Sequence, residues 1–569
     1  MRTTNNEQLT TDSSFRGLYL QPSTLAKRGS LFLFLVIVAF YLYGLGQLPL
    51  LGPDEPRYAQ VAREMFLRGD LITPTLGGHL WFEKPALLYW MMIASYKLFG
   101  VSEWSARLPS AVSGILTIAA LFLVGRRVEQ TTGDEQLQGL GFWTALAAST
   151  TLGIIVFSRA ASFDIVLTMT ITWSLALFVL HELERDAKRR RQLLIGFYVF
   201  IGLSLLAKGF IGLVIPLAVA SAYYFLRRRL PARETLLSLI WGLPLAVMVA
   251  ATWYAPVILR YGRPFIDQFI WQHQFARYVS NNYRHPGPIY YYLAILVPLT
   301  LPWTAFLIGA LARASSWAWR PVNASEEPAN KLVVFAFLWV LFPLVFFTFS
   351  SSKLPGYILP SLPAAALVIG ERLARFNFDF KSHAWKLKAT AALFLLGAVA
   401  ATAYAWRFER SLFNCALIAA SILVVAAVVA LFAAHHRALS IMFITAATIS
   451  VVLTVLHCGA GVLADRESSK RLLQLADARG HSQTLIYGLK LDDRSPEFYA
   501  AGRVIYKPDG EPVIYEGAPQ LVNECRRRGT ALLAFVYLDG VSELQSAHAA
   551  HTEVIGENGR VALVAVRPR

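Results

Sequence analysis

Charge is what this 569-residue chain has least of: Asp, Glu, Lys and Arg together supply 16% of it, against 56% hydrophobic residues. So small a charged share, with a mean hydropathy of +0.47, excludes an ordinary water-soluble fold. Acidic residues are scarcer still, 36 against 53 basic, for a net charge of +17. That excess does not gather on one surface or interleave with aromatics, as a nucleic-acid-binding face would. It falls in short clusters between apolar segments, where it reads as a topology signal, and no nucleic-acid partner is expected. Cysteine is nearly absent. Cys415, Cys458 and Cys525 show no metal-ligand spacing, and the first two lie in apolar segments, so neither a disulfide framework nor a zinc site is expected.

What the chain does have is long apolar runs. Crossing a hydrocarbon core of roughly 30 Å takes about 20 apolar residues in a helix, and only helices and closed barrels satisfy every backbone hydrogen bond in lipid. Such runs fall at about 31–50, 108–125, 140–158, 165–181, 193–207, 210–226, 236–257, 288–312, 332–349, 354–370, 389–406, 411–433 and 439–460. They predict a polytopic helical bundle of about thirteen spans. Residues 1–30 are polar and form an expected cytoplasmic segment. The run from Leu31 lacks a small-residue cleavage site and reads as a retained first span. With the amino terminus in the cytoplasm, the basic stretches in 126–139, 182–192, 227–235 and 371–388 all fall on that side, as the positive-inside rule requires. The stretch 461–569 then lies on the outer face. Its strand-like runs 484–487 and 532–537 among charged segments predict a small mixed α/β domain.

Within the membrane region 31–460, two outer loops, about 51–107 and 258–287, exceed simple connectors, and long loops of this kind usually carry function. In the first, residues 61–67 predict a short helix after Asp54 and Pro56, and the apolar stretch 86–99 is too short to span and reads as interfacial. The ionisable residues expected nearest that face are Asp54, Glu55, Arg57, Glu83, Lys84, Arg159, Asp164, Lys208, Arg277 and Lys353. An ionisable group at a membrane helix end is costly unless paired or hydrated, so each is a candidate functional group, with snorkelling or ion pairing as the plainer account.

Five motifs carry these residues. L-G-P-D-E-P-R-Y-A, 51–59, offers two carboxylates, a guanidinium and the Tyr58 phenol where a helix begins; Asp54 is either an N-cap or a carboxylate beside a sugar or phosphate. W-F-E-K-P, 81–85, sets Glu83 and Lys84 beside aromatic faces suited to sugars and isoprenoids, or to an interfacial belt. S-R-A-A-S-F-D, 158–164, carries Arg159 and Asp164, whose plainer reading is a mutual ion pair. F-I-W-Q-H-Q-F-A-R-Y, 269–278, with N-N-Y-R-H-P-G-P-I-Y-Y-Y, 281–292, gathers His273, Arg277 and His285; the arginine fork is the better phosphate ligand. S-S-S-K-L-P-G-Y-I-L-P, 350–360, opens a span with Lys353 and Tyr357. Each signal is modest, and their convergence on one face carries the weight.

In motif order and spacing across residues 30–460, the chain resembles the bacterial 4-amino-4-deoxy-L-arabinose lipid A transferases, within the GT-C group of polyprenyl-phosphate sugar transferases related to protein O-mannosyltransferases. The resemblance implies a GT-C-type fold in the inner membrane, with the site facing the periplasm. It implies transfer of the amino sugar from undecaprenyl phosphate to phosphate groups of lipid A, with resistance to polymyxin and other cationic peptides. The direction of that effect follows from charge, since an added ammonium offsets an anionic head group that attracts polybasic peptides. The expected chemistry is a single displacement at the anomeric carbon. Because an acceptor phosphate is already anionic, Asp54, Glu83 and Asp164 are candidates for orienting groups or for stabilising oxocarbenium-like charge. Glu55, Arg57, Tyr58, Lys84, Arg277, Lys353 and Tyr357 are the substrate-binding candidates. No metal ligands are assigned: a divalent cation is compatible with the carboxylates, and the spacing does not demand one.

Two other functions compete. A protein O-mannosyltransferase-like enzyme would need an essential carboxylate base and a polypeptide groove. A lipid-linked sugar flippase would show helices broken near the midplane and paired internal repeats.

Overall fold

Apolar runs that must satisfy their own backbones in lipid become helices, and each apolar run named above contains helix. The computed structural model describes residues 22–276, 287–319, 328–375, 384–432, 437–491, 493–500, 502–546 and 550–568. Its helices include α1 (Pro22–Leu42), α2 (Asp54–Arg68), α3 (Leu87–Phe99), α4 (Glu103–Thr132), α5 (Leu140–Thr150), α6 (Leu152–Ser158), α7 (Phe163–Leu183), α8 (Ala187–Lys208), α9 (Ile211–Leu226) and α10 (Arg233–Tyr261).

Among the described residues, nine helices are long and apolar enough to cross a membrane. The chain is a multi-pass membrane protein. The remaining apolar segments depart from simple spans. α5 and α6 meet at a 61° bend, and the amide of Leu152 freed there donates to the carbonyl of Leu301, 2.9 Å away. The segment 288–312 is interrupted between Tyr291–Leu299 and Thr304–Leu311, where Pro298 and Pro302 each remove a backbone donor. The apolar parts of α1 (31–42) and of α9 (211–226) are shorter than a full crossing.

Small residues set the closest helix approaches. A Cβ on Gly125 of α4 would lie 2.9 Å from the Cα of Gly141 in α5, so these helices meet backbone to backbone. Buried hydroxyls return to their own helix, as where Thr168 donates to the Asp164 carbonyl at 2.7 Å and Thr172 to Thr168 at 2.6 Å. The segment Pro355–Arg375 is almost wholly enclosed by protein, whereas Ala384–Phe408, Arg410–Phe432 and Leu439–Val462 present most of their surface outward.

Cysteine pairing corrects the sequence reading: Cys415 and Cys458 form a disulfide. Local spacing could not show this, because two separate helices bring the thiols together.

At one end of the bundle, α2 and α3 pack together and enclose a tight hairpin of β1 (Thr75–Leu76) and β2 (His79–Leu80). α2 starts at Asp54, with Pro53 in the cap position and no side-chain cap, so the N-cap reading of Asp54 does not hold. The C-terminal region carries β3 (Leu485–Leu489), β4 (Ile514–Tyr515), β5 (Leu532–Tyr537), β6 (Ala550–Glu557) and β7 (Val561–Pro568). They form a mixed sheet ordered β4-β3-β5-β7-β6, parallel across β4-β3-β5 and antiparallel across β5-β7-β6. Leu532, Ala534 and Val536 face the helix Ala518–Arg528, and Leu533 and Phe535 face Lys470–Ala478. Cover on both faces explains why β5 reads as a continuous apolar run.

Candidate active site

The D-E-P-R segment is held by a group that sequence reasoning missed. Arg107 of α4, buried, donates to both carboxylate oxygens of Glu55 at 2.9 and 2.6 Å and to the carbonyls of Leu45, Leu48 and Pro49. Glu55 also accepts from the amides of Leu51 (2.8 Å) and Ala161 (2.6 Å). With both oxygens engaged in this way, Glu55 is the brace that seats α2 against the S-R-A-A-S-F-D turn. It also lines the cavity described next, as a substrate-binding candidate would. An arginine at the edge of an apolar run was the available signal for Arg107.

That brace places the start of α2 beside a cavity of about 640 Å³. The ionic and polar part of its lining comes from Asp54, Tyr58, Glu83, Lys84, Asp164, Lys208 and Tyr357. Its apolar lining includes Val156, Phe157, Phe210, Ile211, Val214 and Phe346. Residues from four separate motifs, up to about 300 positions apart, therefore meet around one volume that combines ionic and apolar lining.

Within the ionic part, each carboxylate has a cation beside it. Arg57 bonds Asp54 at 2.6 Å, approaches Glu83 at 3.9 Å and lies over Trp81. Lys84 pairs with Glu83 at 2.7 Å and is itself largely buried. Lys208 pairs with Asp164, and its ammonium sits 4.9 Å from the centre of the Tyr357 ring. Burial works against the charged guanidinium of Arg57, but Glu83 and Asp54 outweigh it and raise its pKa. Burial, reinforced by Asp54 and Glu83, pushes the Tyr58 phenol well above its ordinary range, so Tyr58 stays a neutral hydroxyl. Its ring stands edge-on to Phe163, 4.8 Å between centres.

The other expected residues are placed differently. Arg159 does not pair with Asp164. It donates to the carbonyls of Phe40 and Tyr43, because Lys208 already occupies Asp164. Arg57 and Lys353 are not among the lining residues. Arg57 bridges two lining carboxylates from behind, and Lys353 donates to the carbonyl of Ser350, itself a lining residue, at 3.0 Å. Arg277 and His285 lie outside the described residues, as does the His273 side chain. Lys208, grouped by sequence with the ionisable residues of that face but assigned no role at the end of its apolar helix, lines the site. Among the described residues, no group of three or more His, Cys, Asp or Glu side chains is arranged to hold a metal ion.

Residues 83–258 match the family described as dolichyl-phosphate-mannose-protein mannosyltransferase. The curated relatives include the undecaprenyl phosphate-alpha-4-amino-4-deoxy-L-arabinose arabinosyl transferases of Aeromonas salmonicida, 30% identical over 358 residues (62% of each chain), and of Pseudomonas aeruginosa, 32% identical over 339 residues (59% of this chain and 58% of that one). The chain thus spans about three-fifths of the length of these relatives. Among solved structures, ArnT from Cupriavidus metallidurans bound to undecaprenyl phosphate matches with a TM-score of 0.78 at 22% identity, over 94% of this chain and 97% of that one. Its apo state matches with the same score and identity over 95% and 98%. The fold is shared along nearly the whole of both chains. By sequence over about three-fifths of its length, and by fold over nearly all of it, the chain is similar to these transferases.

Proposed function

We propose that this chain transfers 4-amino-4-deoxy-L-arabinose from undecaprenyl phosphate to phosphate groups of lipid A, at a site on the periplasmic side of the inner membrane. One observation carries the reading: the cavity is lined both by apolar side chains and by a cluster of carboxylates and ammonium groups. An isoprenoid phosphate needs both, and an aminated sugar adds a cation for which Asp54, Glu83 or Asp164 is a complementary partner. The transferase names of the relatives, and the undecaprenyl phosphate in the related crystal structure, support the same donor.

The residues act in this proposal as follows. Lys84 and Lys208 balance the donor phosphate and the charge it gains as the glycosidic bond breaks, with Arg277 the expected further phosphate ligand. Fixed cations held in a water-poor pocket stabilise developing charge without reorganising. Asp54 faces the anomeric carbon or the incoming acceptor. An acceptor phosphate attacks as an anion and needs no strong base, so Asp54 orients it or stabilises oxocarbenium-like charge. Tyr58 donates a neutral hydrogen bond, and Tyr357 offers a ring face to sugar or lipid.

The disulfide supports the orientation. Such bonds persist in oxidising compartments, and Cys415 and Cys458 lie at the helix ends next to the chain leading into the C-terminal domain. The domain arrangement proposed is a membrane catalytic region at 31–460 followed by a periplasmic α/β domain at 461–569. Purified protein supplied with undecaprenyl phosphate-linked aminoarabinose and lipid A should yield lipid A carrying the amino sugar. Release of undecaprenyl phosphate only when a hydroxyl peptide is supplied would favour an O-mannosyltransferase-like reaction instead.

A further inference from the structure

We propose that Tyr506 of the C-terminal domain is a positioning residue for the charged cluster, holding the segment that carries Glu83 and Lys84 against the helix that carries Asp54. The inference rests on the reading of the cavity as the active site.

Two segments must keep register for that cluster to exist: α2, which begins at Asp54, and the β1–β2 hairpin, which leads within three residues to Glu83. From the α2 side, Glu64 holds the hairpin, accepting from the amides of Gly77 (2.7 Å) and Gly78 (3.2 Å) and from the hydroxyl of Thr75 (2.5 Å). The C-terminal domain adds Tyr506. Its ring lies so close to Gly77 that any Cβ there would collide with it. Gly77 also has a φ of +60°, which suits glycine alone at this turn. The Tyr506 ring also lies 6.0 Å from that of His79, and Gly510 packs against the His79 side chain, where an added Cβ would be 3.2 Å away.

The C-terminal domain is itself fastened to α2 and its approach. Phe498 is buried in the core of the membrane region, and its carbonyl accepts from Arg63 at 3.3 Å. The Tyr499 hydroxyl accepts from the amide of Leu50 at 2.7 Å and donates to Glu103, which also pairs with Lys470 at 2.5 Å. The hairpin is therefore held both by Glu64 of α2 and by Tyr506 of a domain anchored to that same helix. Loss of the ring removes one of these contacts, and the error is carried to Glu83 and Lys84.

The test uses the full chain in lipid nanodiscs as parent, Tyr506→Ala, Tyr506→Phe and, as a control, Tyr537→Ala at the exposed end of β5 in the same domain. Two readouts are taken: acylation of Lys84 by an amine-reactive ester, mapped by mass spectrometry, and the affinity for undecaprenyl phosphate. Tyr506→Ala should raise Lys84 acylation about fivefold and weaken undecaprenyl phosphate about tenfold. Tyr506→Phe, which keeps the ring, and Tyr537→Ala should stay within about twofold of the parent on both readouts. Unchanged acylation overturns the inference, as does raised acylation with unchanged affinity, since the hairpin would then move without setting the site. Should Tyr506→Ala fail to fold, Tyr506→Leu is read by the same criteria. If the parent does not bind undecaprenyl phosphate, the functional reading falls, and Lys84 acylation alone decides whether Tyr506 holds this segment.

Discussion

At the scale of single residues, the account separates groups that face the cavity from groups that hold those groups in place. Asp54 faces it, and its carboxylate is the one presented where α2 begins. Asp54→Asn should lower transfer by about a hundredfold or more with unchanged thermal melting, because asparagine keeps the shape and removes the charge. Activity near parent level in a purified assay would return Asp54 to a structural role. Lys84 and Lys208 bring the two ammonium groups to the lining. A charge-assisted hydrogen bond to phosphate contributes about 1.5–3 kcal/mol, so Lys84→Ala and Lys208→Ala should each weaken undecaprenyl phosphate binding by about tenfold to a hundredfold. Titration of the lipid phosphate against each purified variant checks this, and affinities within about twofold of the parent would make both lysines interfacial anchors. Much of this cluster was legible in the sequence because ionisable residues at the ends of apolar runs are expensive and therefore conspicuous. Lys208 shows the limit of that signal. Its context is a helix terminus, and only the meeting of α8 with Asp164 and Tyr357 gives it a role.

At the scale of elements, the Glu55–Arg107 pair is the decisive joint. It ties α2, α4 and the turn before α7 through one buried carboxylate. Breaking a buried pair by removing one partner costs about 3–5 kcal/mol, whereas removing both costs less. Glu55→Ala and Arg107→Ala should therefore each lower the melting temperature markedly, and the double variant should lose less than the sum. Strict additivity in that cycle would show that the two side chains act independently. The sequence displayed Glu55 beside Asp54 and gave no local reason to distinguish them, since partners 52 residues apart leave no trace in spacing. The same reason hid the Cys415–Cys458 bond and the grip of Tyr499 and Tyr506 on the first long loop. Helices, by contrast, were legible from their apolar runs alone, and β5 appears over the residues its pattern indicated. The α5–α6 bend was not, because an unbroken apolar run carries no mark of where a neighbouring carbonyl will take up a freed amide.

At the scale of the whole molecule, charge asymmetry sets the orientation and the cavity sets the function. With basic stretches inward, a cysteine placed at Arg189 should resist a membrane-impermeant thiol reagent in intact cells, and one at Glu557, exposed on the C-terminal domain, should react. The reverse pattern would turn the molecule over and take the cavity away from lipid A. In the proposed reaction the orientation matters because the lipid A acceptor lies at the periplasmic face, where an added ammonium would reduce the attraction of its head group for cationic peptides. The central claim is that this cavity attaches an amino sugar to lipid A, and it is tested most directly by mass analysis of lipid A from cells lacking the chain, carrying it, and carrying Asp54→Asn. The account predicts aminoarabinose-modified lipid A with the parent chain alone. Unmodified lipid A in cells that express the folded parent and are supplied with the donor, or full modification by Asp54→Asn, would contradict it.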